Sequence, residues 1–499
     1  MFEGKDVTVL LALAGTGKSY RLLQYMEKEL EHRRPEEIAF VTFTRRGVQE
    51  GLERMIKKFN LSKDDLPYVS TIHSLTFHAL DYKAKQVLTY FDMKEFNKEY
   101  GYFVNRAESK DSLVIHRTQD TMALDYYDME RTGVLSVQEK ANFPVPEAYY
   151  HLLCKRYDDF KKAKDKVDFF DCLLNYKKYG ESLPCKVVMV DECQDLTLLQ
   201  WQVVEKAFAN AEKIYLAGDI MQCIFSYAGS KPEFLISLAK KYKTEKLLMS
   251  FRVPVKINAL ANAIISFMKS EITTQGVPRL ENGEGKIESL ANFEQLLPAI
   301  NPVTQPKNSC SWYILARSNY FLMDVQTQLE SKLIPYWNHE GFFMGGVIMQ
   351  RIKAYYKYRL RGYKNEEKKE KFMQDYKIVD FNRPITDCAL FTADRAAVYQ
   401  AYIDIYGLPL LEAMENWTPQ ILVSTIHTVK GGEADNVALL LDLTKKCKET
   451  LQENLEEELR VLYVAVTRAK KSLYLIDSKN NQGYDNIIQI CKSEFGLDF

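Results

Sequence analysis

Ala12-Leu13-Ala14-Gly15-Thr16-Gly17-Lys18-Ser19 lies between an apolar run, Val7 to Leu11, and a helix-like segment, Tyr20 to Leu30. Strand, small-residue loop, Gly-Lys-Ser and helix, in that order, make up a phosphate-binding loop. Glycine lets backbone N–H groups close around phosphate oxygens, and the helix N-terminus adds the positive end of its dipole. On this reading Ala14, Gly15, Thr16, Gly17, Lys18 and Ser19 cradle the phosphates. Lys18 reaches the β- and γ-phosphates, and the Ser19 hydroxyl ligates Mg2+. Ala12 stands where the general pattern has glycine. The same residues imitate a short secretion signal, with Lys5 before an apolar run that ends Ala-Leu-Ala-Gly. Cleavage there would destroy a well-formed loop, so the phosphate reading is preferred.

At 499 residues the chain is long enough for about three domains and a sizeable core. Its 46% hydrophobic and 27% charged residues are those of a globular protein, and no apolar run reaches the length of a membrane span. Net charge is zero, so a nucleic-acid partner has to be met by a local basic groove. Nine cysteines without a Cys-x-x-Cys pair read as reduced core thiols of a protein in a cytosol. No zinc or iron–sulfur site is expected.

Ile38 to Phe43 reads as a buried strand and Arg45 to Phe59 as an amphipathic helix. Lys186 to Val190 is a second apolar strand running into Asp191-Glu192, and Lys213 to Ala217 a third ending at Gly218-Asp219. Helical segments separate them, which predicts an α/β fold with parallel strands. Ligands of such sheets sit at the carboxyl ends of strands, where the loop, Asp191 and Asp219 all fall. A second α/β series has strands at Trp312–Ala316, Ile421–Thr425 and Val437–Leu441. The stretches 81–144 and 341–419 break the rhythm and read as insertions into the two cores.

Asp191-Glu192-Cys193-Gln194-Asp195, at the end of a strand, is the second nucleotide signature. One carboxylate holds Mg2+ and another polarises the attacking water, roles that suit Asp191 and Glu192.

With these two signatures in hand, the chain resembles the UvrD/Rep/PcrA-like superfamily 1 helicases in order from Ala12 to about Leu475. Val41-Thr42-Phe43-Thr44-Arg45-Arg46 resembles the family's Thr-Phe-Thr-Asn-Lys, and Ser70 to Leu75 its Thr-Phe-His-Ser segment. Asp168-Phe169-Phe170-Asp171 with Leu173-Leu174 is similar to Asp-Phe-x-Asp-Leu-Leu. Gly218 to Phe225 with Tyr227 and Gly229 resembles Gly-Asp-x-x-Gln-x-Ile-Tyr-x-Trp-Arg-Gly, and Ser250-Phe251-Arg252 resembles Asn-Tyr-Arg. Thr425 to Glu433 is similar to Thr-Ile-His-x-x-Lys-Gly-Leu-Glu, and Glu456 to Lys470 to the final arginine motif. Each motif alone is weak; the ordered set is specific.

The resemblance implies two RecA-like P-loop NTPase domains with parallel sheets, each carrying a mostly helical insertion. The expected boundaries are 1–80 and 145–250 for the first domain, with insertion 81–144, and 251–340 and 420–499 for the second, with insertion 341–419. It implies one ATP–Mg2+ site between them. Lys18, Ser19, Asp191, Glu192 and Gln222, a γ-phosphate sensor, lie on the first domain. Arg252 and Arg468 come from the second and neutralise charge on the transferred phosphoryl group, an effect worth about 10³–10⁵ in rate. Glu433 and Gly431 contact the nucleotide, Glu433 at the ribose, and Phe251 stacks on the base. Thr42, Phe43, His73, Phe225, Tyr227, Thr425 and His427 match positions that face single-stranded DNA.

The stretch 351–371 carries nine Lys or Arg against three Glu, interleaved with Tyr355, Tyr356, Tyr358 and Tyr363. It reads either as a nucleic-acid face, with Lys357, Arg359 and Arg361 on phosphates, or as a solvated helix face. Three departures from the family stand out. Lys18 is too near the start for the usual upstream glutamine that reads adenine, which leaves base specificity open. Ala228 and Leu459 replace arginines, and the insertions are short, with no room for a fused nuclease after Asp477.

The function implied is an ATP-dependent DNA helicase or single-strand translocase of 3′→5′ polarity. Its partners would be single-stranded DNA, single-strand/duplex junctions and replication or repair proteins, with no membrane; a monomer would suffice. Two alternatives stay open: a DNA-stimulated ATPase that strips proteins or serves a phage or anti-phage system, and a partner-dependent switch or scaffold.

Overall fold

Six of the seven residues of β1 (Asp6–Ala12) are buried, the pattern of a strand covered on both faces. Its neighbours are β2 (Ile38–Thr42), β3 (Val69–Thr71), β4 (Val187–Val190), β5 (Lys213–Gly218) and β6 (Lys243–Leu247). They pair in the order β3-β2-β4-β5-β1-β6, and every pairing is parallel. The parallel arrangement expected from the sequence is therefore present. The register sets Leu11 beside Gly218 and Val41 beside Val190, so the phosphate-binding loop, Asp191 and Asp219 leave one edge of the sheet together. The helix Lys18–Leu30 turns Leu22 and Met26 onto Leu10, Phe40 and Met189. The helix Arg45–Phe59 starts where its cap, Thr44, accepts the Gly47 N–H.

The computed structural model describes residues 2–105, 118–133, 145–269, 275–300, 310–361, 366–378, 380–381, 383–418, 420–479 and 483–499, the side chains at 360 and 361 excepted. Its contacts divide the chain into two compact units, Met1–Gly283 with Glu453–Thr467, and Glu284–Gln452 with Arg468–Phe499. The segments 251–283 and 453–467, expected in the second domain, thus pack with the first sheet. Contacts with loops of the first sheet hold them there: the buried helix Leu455–Val466 packs on Ile220–Gln222 as well as on the helix Val255–Ser266, its Tyr463 hydroxyl accepts the Ala14 N–H, and Phe251 N–H donates to the Gly15 carbonyl.

Within the first unit, the helices Tyr90–Tyr100, Gln119–Arg131 and Glu147–Ala163 close around Phe96, Tyr102, Leu124, Leu153, Tyr157 and Phe160. The helical insertion therefore shares its core with residues beyond 144. The Asp-Phe-Phe-Asp stretch fastens this core to the helix Phe169–Tyr179. Asp168 and Asp171 cap that helix reciprocally, each accepting the other's backbone N–H. Lys161 Nζ donates to Asp168 and Asp171 at 2.8 and 2.7 Å, and Arg131 donates to Asp168, Asp171 and Asp128 at 2.6–2.9 Å.

In the second unit a seven-stranded sheet runs in the order Gly341–Phe342, Trp337–Asn338, Ile421–Thr425, Trp312–Ala316, Ala434–Leu440, Ala469–Ile476 and Lys286–Leu290. All pairings are parallel except the small hairpin 337–342. The helices of 346–414 share one core with this sheet, centred on Ile314, Leu329, Tyr355 and Tyr402. That settles part of the reading of 351–371. Tyr355 is fully buried, with its hydroxyl donating to the Arg383 carbonyl, and Tyr358 packs on Phe372 and Phe381. Tyr355 is thus a core residue, and Tyr358 is half-buried against the same core. The Arg361 side chain and Tyr363 lie outside the described residues. Among the described residues no helix is long and apolar enough to cross a membrane.

Burial works against the Asp168 charge, but Lys161 and Arg131 outweigh it and hold the carboxyl well below the ordinary range. Removing one partner leaves buried charge uncompensated, so Lys161→Met is expected to lower stability by about 3–5 kcal/mol in urea denaturation at neutral pH. The Asp168 contribution is complete above the ordinary aspartate range and is lost as pH falls through the depressed value. The gap between wild type and variant should accordingly narrow on acidification.

Candidate active site

Gly15 and Gly17 take φ of +71° and +83°, the left-handed region in which a side chain is strained. A Cβ on Gly15 would also meet Arg252 Cβ at 2.6 Å and Ser250 Oγ at 2.9 Å. The loop is closed on itself by Thr16, whose Oγ1 accepts the Leu13 N–H and donates to the Leu13 carbonyl. From outside, Ser250 Oγ donates to the Ala14 carbonyl at 2.8 Å, and Phe251 N–H donates to the Gly15 carbonyl at 2.8 Å. The Tyr463 hydroxyl accepts the Ala14 N–H at 3.0 Å.

Lys18 and Ser19 begin the following helix and face the two carboxylates beyond β4. Lys18 Nζ lies 3.1 Å from Glu192 Oε1, and Ser19 Oγ donates to Asp191 Oδ2 at 2.7 Å. Burial, then the neighbouring Glu192, pushes the Asp191 carboxyl up to about 6. Burial opposes the Lys18 charge, yet Glu192, Asp219 and Asp191 outweigh it and raise its affinity for the proton. A hydroxyl and a carboxylate oxygen brought together at the loop are the ligands a small hard cation takes, so Ser19 and Asp191 fit Mg2+. Glu192 itself sits at φ 53°, a left-handed conformation that costs a non-glycine residue about 1–2 kcal/mol. That turn aims one carboxylate oxygen at Lys18 and the other at Gln194. Its side chain is 30% exposed, within reach of water.

Gln222 is buried beside this pair, and its amide donates to Asp219 Oδ2 at 2.6 Å. The Phe251 ring lies open to solvent over Gly17, with the Arg279 guanidinium 5.6 Å from its centroid. Arg252, expected from the second domain, belongs to the first unit and packs against Gly15. The structure thus brings Ala14 to Ser19, Asp191, Glu192, Gln222, Phe251 and Arg252 together in that unit.

The aromatic residues group beside them. Phe43 stacks on Phe225 at 5.6 Å, and the Phe225 ring meets that of Tyr227, which is exposed, at 6.1 Å. His73 lies edge-on to Phe169 at 5.8 Å, and Thr42 is buried at the end of β2.

In the second unit Arg468 is fully buried, with Nη1 donating to the Gly432 carbonyl at 2.9 Å. A solvated cation at the end of the preceding helix is thereby ruled out. Gly431 takes φ +83°, and Glu433 faces Lys470 at 3.5 Å. Thr425 is buried and shares a hydrogen bond with Thr428; His427 is half-buried on the same turn. Sequence reasoning gave no role to Ser250, Tyr463 or Gln194, although each stands inside a motif it quoted. Their signal was position within the motif; their contacts belong to the folded chain.

Two family models match the chain, the UvrD/REP helicase N-terminal domain over residues 2–243 and the UvrD-like helicase C-terminal domain over residues 350–480. Similar curated proteins include the putative ATP-dependent DNA helicase YjcD of Bacillus subtilis, 23% identical over 71% of this chain and 50% of that one. The ATP-dependent DNA helicase UvrD2 of Mycobacterium tuberculosis is 23% identical over 93% of this chain and 76% of its own. The ATP-dependent DNA helicase Rep of Buchnera aphidicola is 24% identical over 66% and 54%. The chain spans about half the length of the YjcD and Rep relatives it matches.

Gly15→Ala tests the loop. The left-handed backbone alone costs about 1–2 kcal/mol, and the contact with Arg252 adds to it. A lower melting temperature is expected, together with affinity for a fluorescent nucleotide weakened by about tenfold for each 1.4 kcal/mol that falls on the bound state.

Proposed function

Because the chain belongs to the UvrD/REP helicase family, we propose that it couples ATP hydrolysis to movement along single-stranded DNA in the 3′→5′ direction and so unwinds duplexes. The observation that carries the chemistry is the pair of contacts Lys18–Glu192 and Ser19–Asp191, which sets a cation, a hydroxyl and two carboxylates at the mouth of a phosphate-binding loop. In this reading the loop N–H groups and Lys18 bind the β- and γ-phosphates. Ser19 and Asp191 hold Mg2+, which when bound neutralises phosphate charge. Glu192 takes the proton of the water that attacks the γ-phosphorus, and the bridging oxygen leaves with ADP. Gln222 registers the γ-phosphate, while Arg252 and Arg468 neutralise the charge that develops on the transferred group. Phe251 stacks on the base, and Gly431 and Glu433 approach the ribose.

The DNA side rests on the ring cluster Phe43, Phe225 and Tyr227. A base stacked on an aromatic ring contributes about 1–3 kcal/mol without regard to sequence, which suits a motor that must pass over any base. Thr42, His73, Thr425 and His427 complete the proposed strand contacts, and single-strand/duplex junctions are the proposed substrate. Movement follows from different affinities for DNA in each nucleotide state. A DNA-stimulated ATPase that displaces proteins without processive unwinding uses the same residues, and tailed-duplex assays separate the two.

Steady-state ATP hydrolysis with and without single-stranded DNA, with Lys18→Ala as the blank, is the deciding measurement. Strong stimulation supports the motor, and hydrolysis indifferent to DNA overturns it. Glu192→Gln should leave nucleotide affinity unchanged and lower turnover by about 10²–10⁴-fold, the range of a lost general base. Near-normal turnover in that variant would remove Glu192 from its role. Duplexes with a 3′ or a 5′ single-stranded tail report the polarity.

A further inference from the structure

We infer that Gln194 is the positioning residue through which a strand bound at Phe225 and Tyr227 sets the carboxylate of Glu192; the inference rests on the motor reading above. Gln194 is 1% exposed and occupies the space between two chain segments. Its Oε1 accepts the Asp219 N–H at 3.0 Å, and its Nε2 donates to Glu192 Oε2 at 2.6 Å and to Asp195 Oδ2 at 3.2 Å. The orientation of the amide is fixed by chemistry. A backbone N–H only donates and ionised carboxylates only accept, so one amide satisfies both sides in a single sense.

The contact continues on the far side. Asp219 accepts the Gln222 amide through Oδ2 and the Met221 N–H through Oδ1. The Cys223 thiol donates to the Gln194 carbonyl at 3.2 Å. Gln194 is therefore held by side chain and main chain to the segment that ends in the Phe225–Tyr227 rings. Gly218 makes this approach feasible: a Cβ there would meet Gln194 Oε1 at 2.8 Å and Cys193 Sγ at 2.9 Å. The chain of contacts runs Glu192, Gln194, Asp219, Gln222, and then the rings three and five residues on. Displacement of the 219–227 segment by a base must move the Asp219 N–H, and with it the amide that aims Glu192. A side chain needed only to fill space would not require a donor and an acceptor at opposite ends.

The test compares the DNA-stimulated with the basal ATPase rate in Gln194→Met, which keeps the length and loses all three side-chain hydrogen bonds. Coupling between two sites is typically about 5–150-fold, so the stimulation ratio should fall at least about fivefold while fluorescent-nucleotide affinity stays unchanged. Gln194→Glu, which keeps the acceptor and sets a like charge beside Glu192, should lower the ratio as well. A second readout uses the unaltered chain. Hydrogen exchange with oligothymidylate added should change at 192–196 and at Asp219 as well as at 225–230, and in Gln194→Met only at 225–230. A wild-type ratio in Gln194→Met overturns the inference, as does DNA-dependent exchange confined to 225–230 in the unaltered chain. The exchange result decides the matter even if neither variant folds. No stimulation of the unaltered chain removes the motor reading and this inference with it; stimulation retained in the variants removes the inference alone.

Discussion

A lysine side chain only 9% exposed, with its ammonium 3.1 Å from a carboxylate, organises the first unit. An ammonium withdrawn from water needs opposite charge close by, and here the next two strands on one side of its own in the sheet order deliver it. β1 leads into the loop that carries Lys18, β4 runs into Asp191 and Glu192, and β5 ends at Asp219. Because these strands are parallel neighbours, their carboxyl ends emerge side by side, and charges distant in sequence meet without long loops. Any register other than Leu11 opposite Gly218 would part the cation from Asp219.

The same convergence requires unusual local geometry. Gly15 and Gly17 adopt left-handed backbone without penalty from a side chain, but Glu192 does so as an ordinary residue. Surrounding bonds hold it there. Asp191 Oδ1 accepts the Glu192 N–H, the Glu192 carbonyl accepts the Asp195 N–H, and Lys18 and Gln194 take the two carboxylate oxygens. Strain at such a position persists only where neighbours over-determine it. The phosphate-binding loop is fixed in a comparable way by Ser250, Phe251 and Tyr463, all from segments far along the chain.

What could be read from residues alone follows from the range of the forces involved. Apolar runs at Trp312–Ala316 and Ile421–Thr425, buried by helices, announced their strands with the observed ends, as did the helix Arg45–Phe59. β6, Lys243-Thr-Glu-Lys-Leu, was not legible: it lies at the sheet edge with no buried residue, so it carries no apolar signature. β3 has only three half-buried residues, too few for a period to register. The basic, tyrosine-rich stretch 351–371 left two readings open for a related reason, and the fold turns Tyr355 into the core. Charge and aromatic content describe a surface and a core equally well until the fold decides which way each ring turns.

Motifs behave differently from elements. Lys18, Ser19, Asp191 and Glu192 were assigned from spacing because their chemistry is local to the loop and the strand end. Gln194 and Tyr463 stand in equally compact motifs, yet what each does depends on a partner many residues away, the Asp219 N–H for one and the Ala14 N–H for the other. A glutamine or a tyrosine is chemically versatile, and spacing fixes neither the direction of its hydrogen bonds nor the segment it meets. Arg468 is a third such case. Its motif singled it out, yet only the fold shows that the guanidinium is buried, with Nη1 donating to the Gly432 carbonyl, a contact that spacing does not reveal.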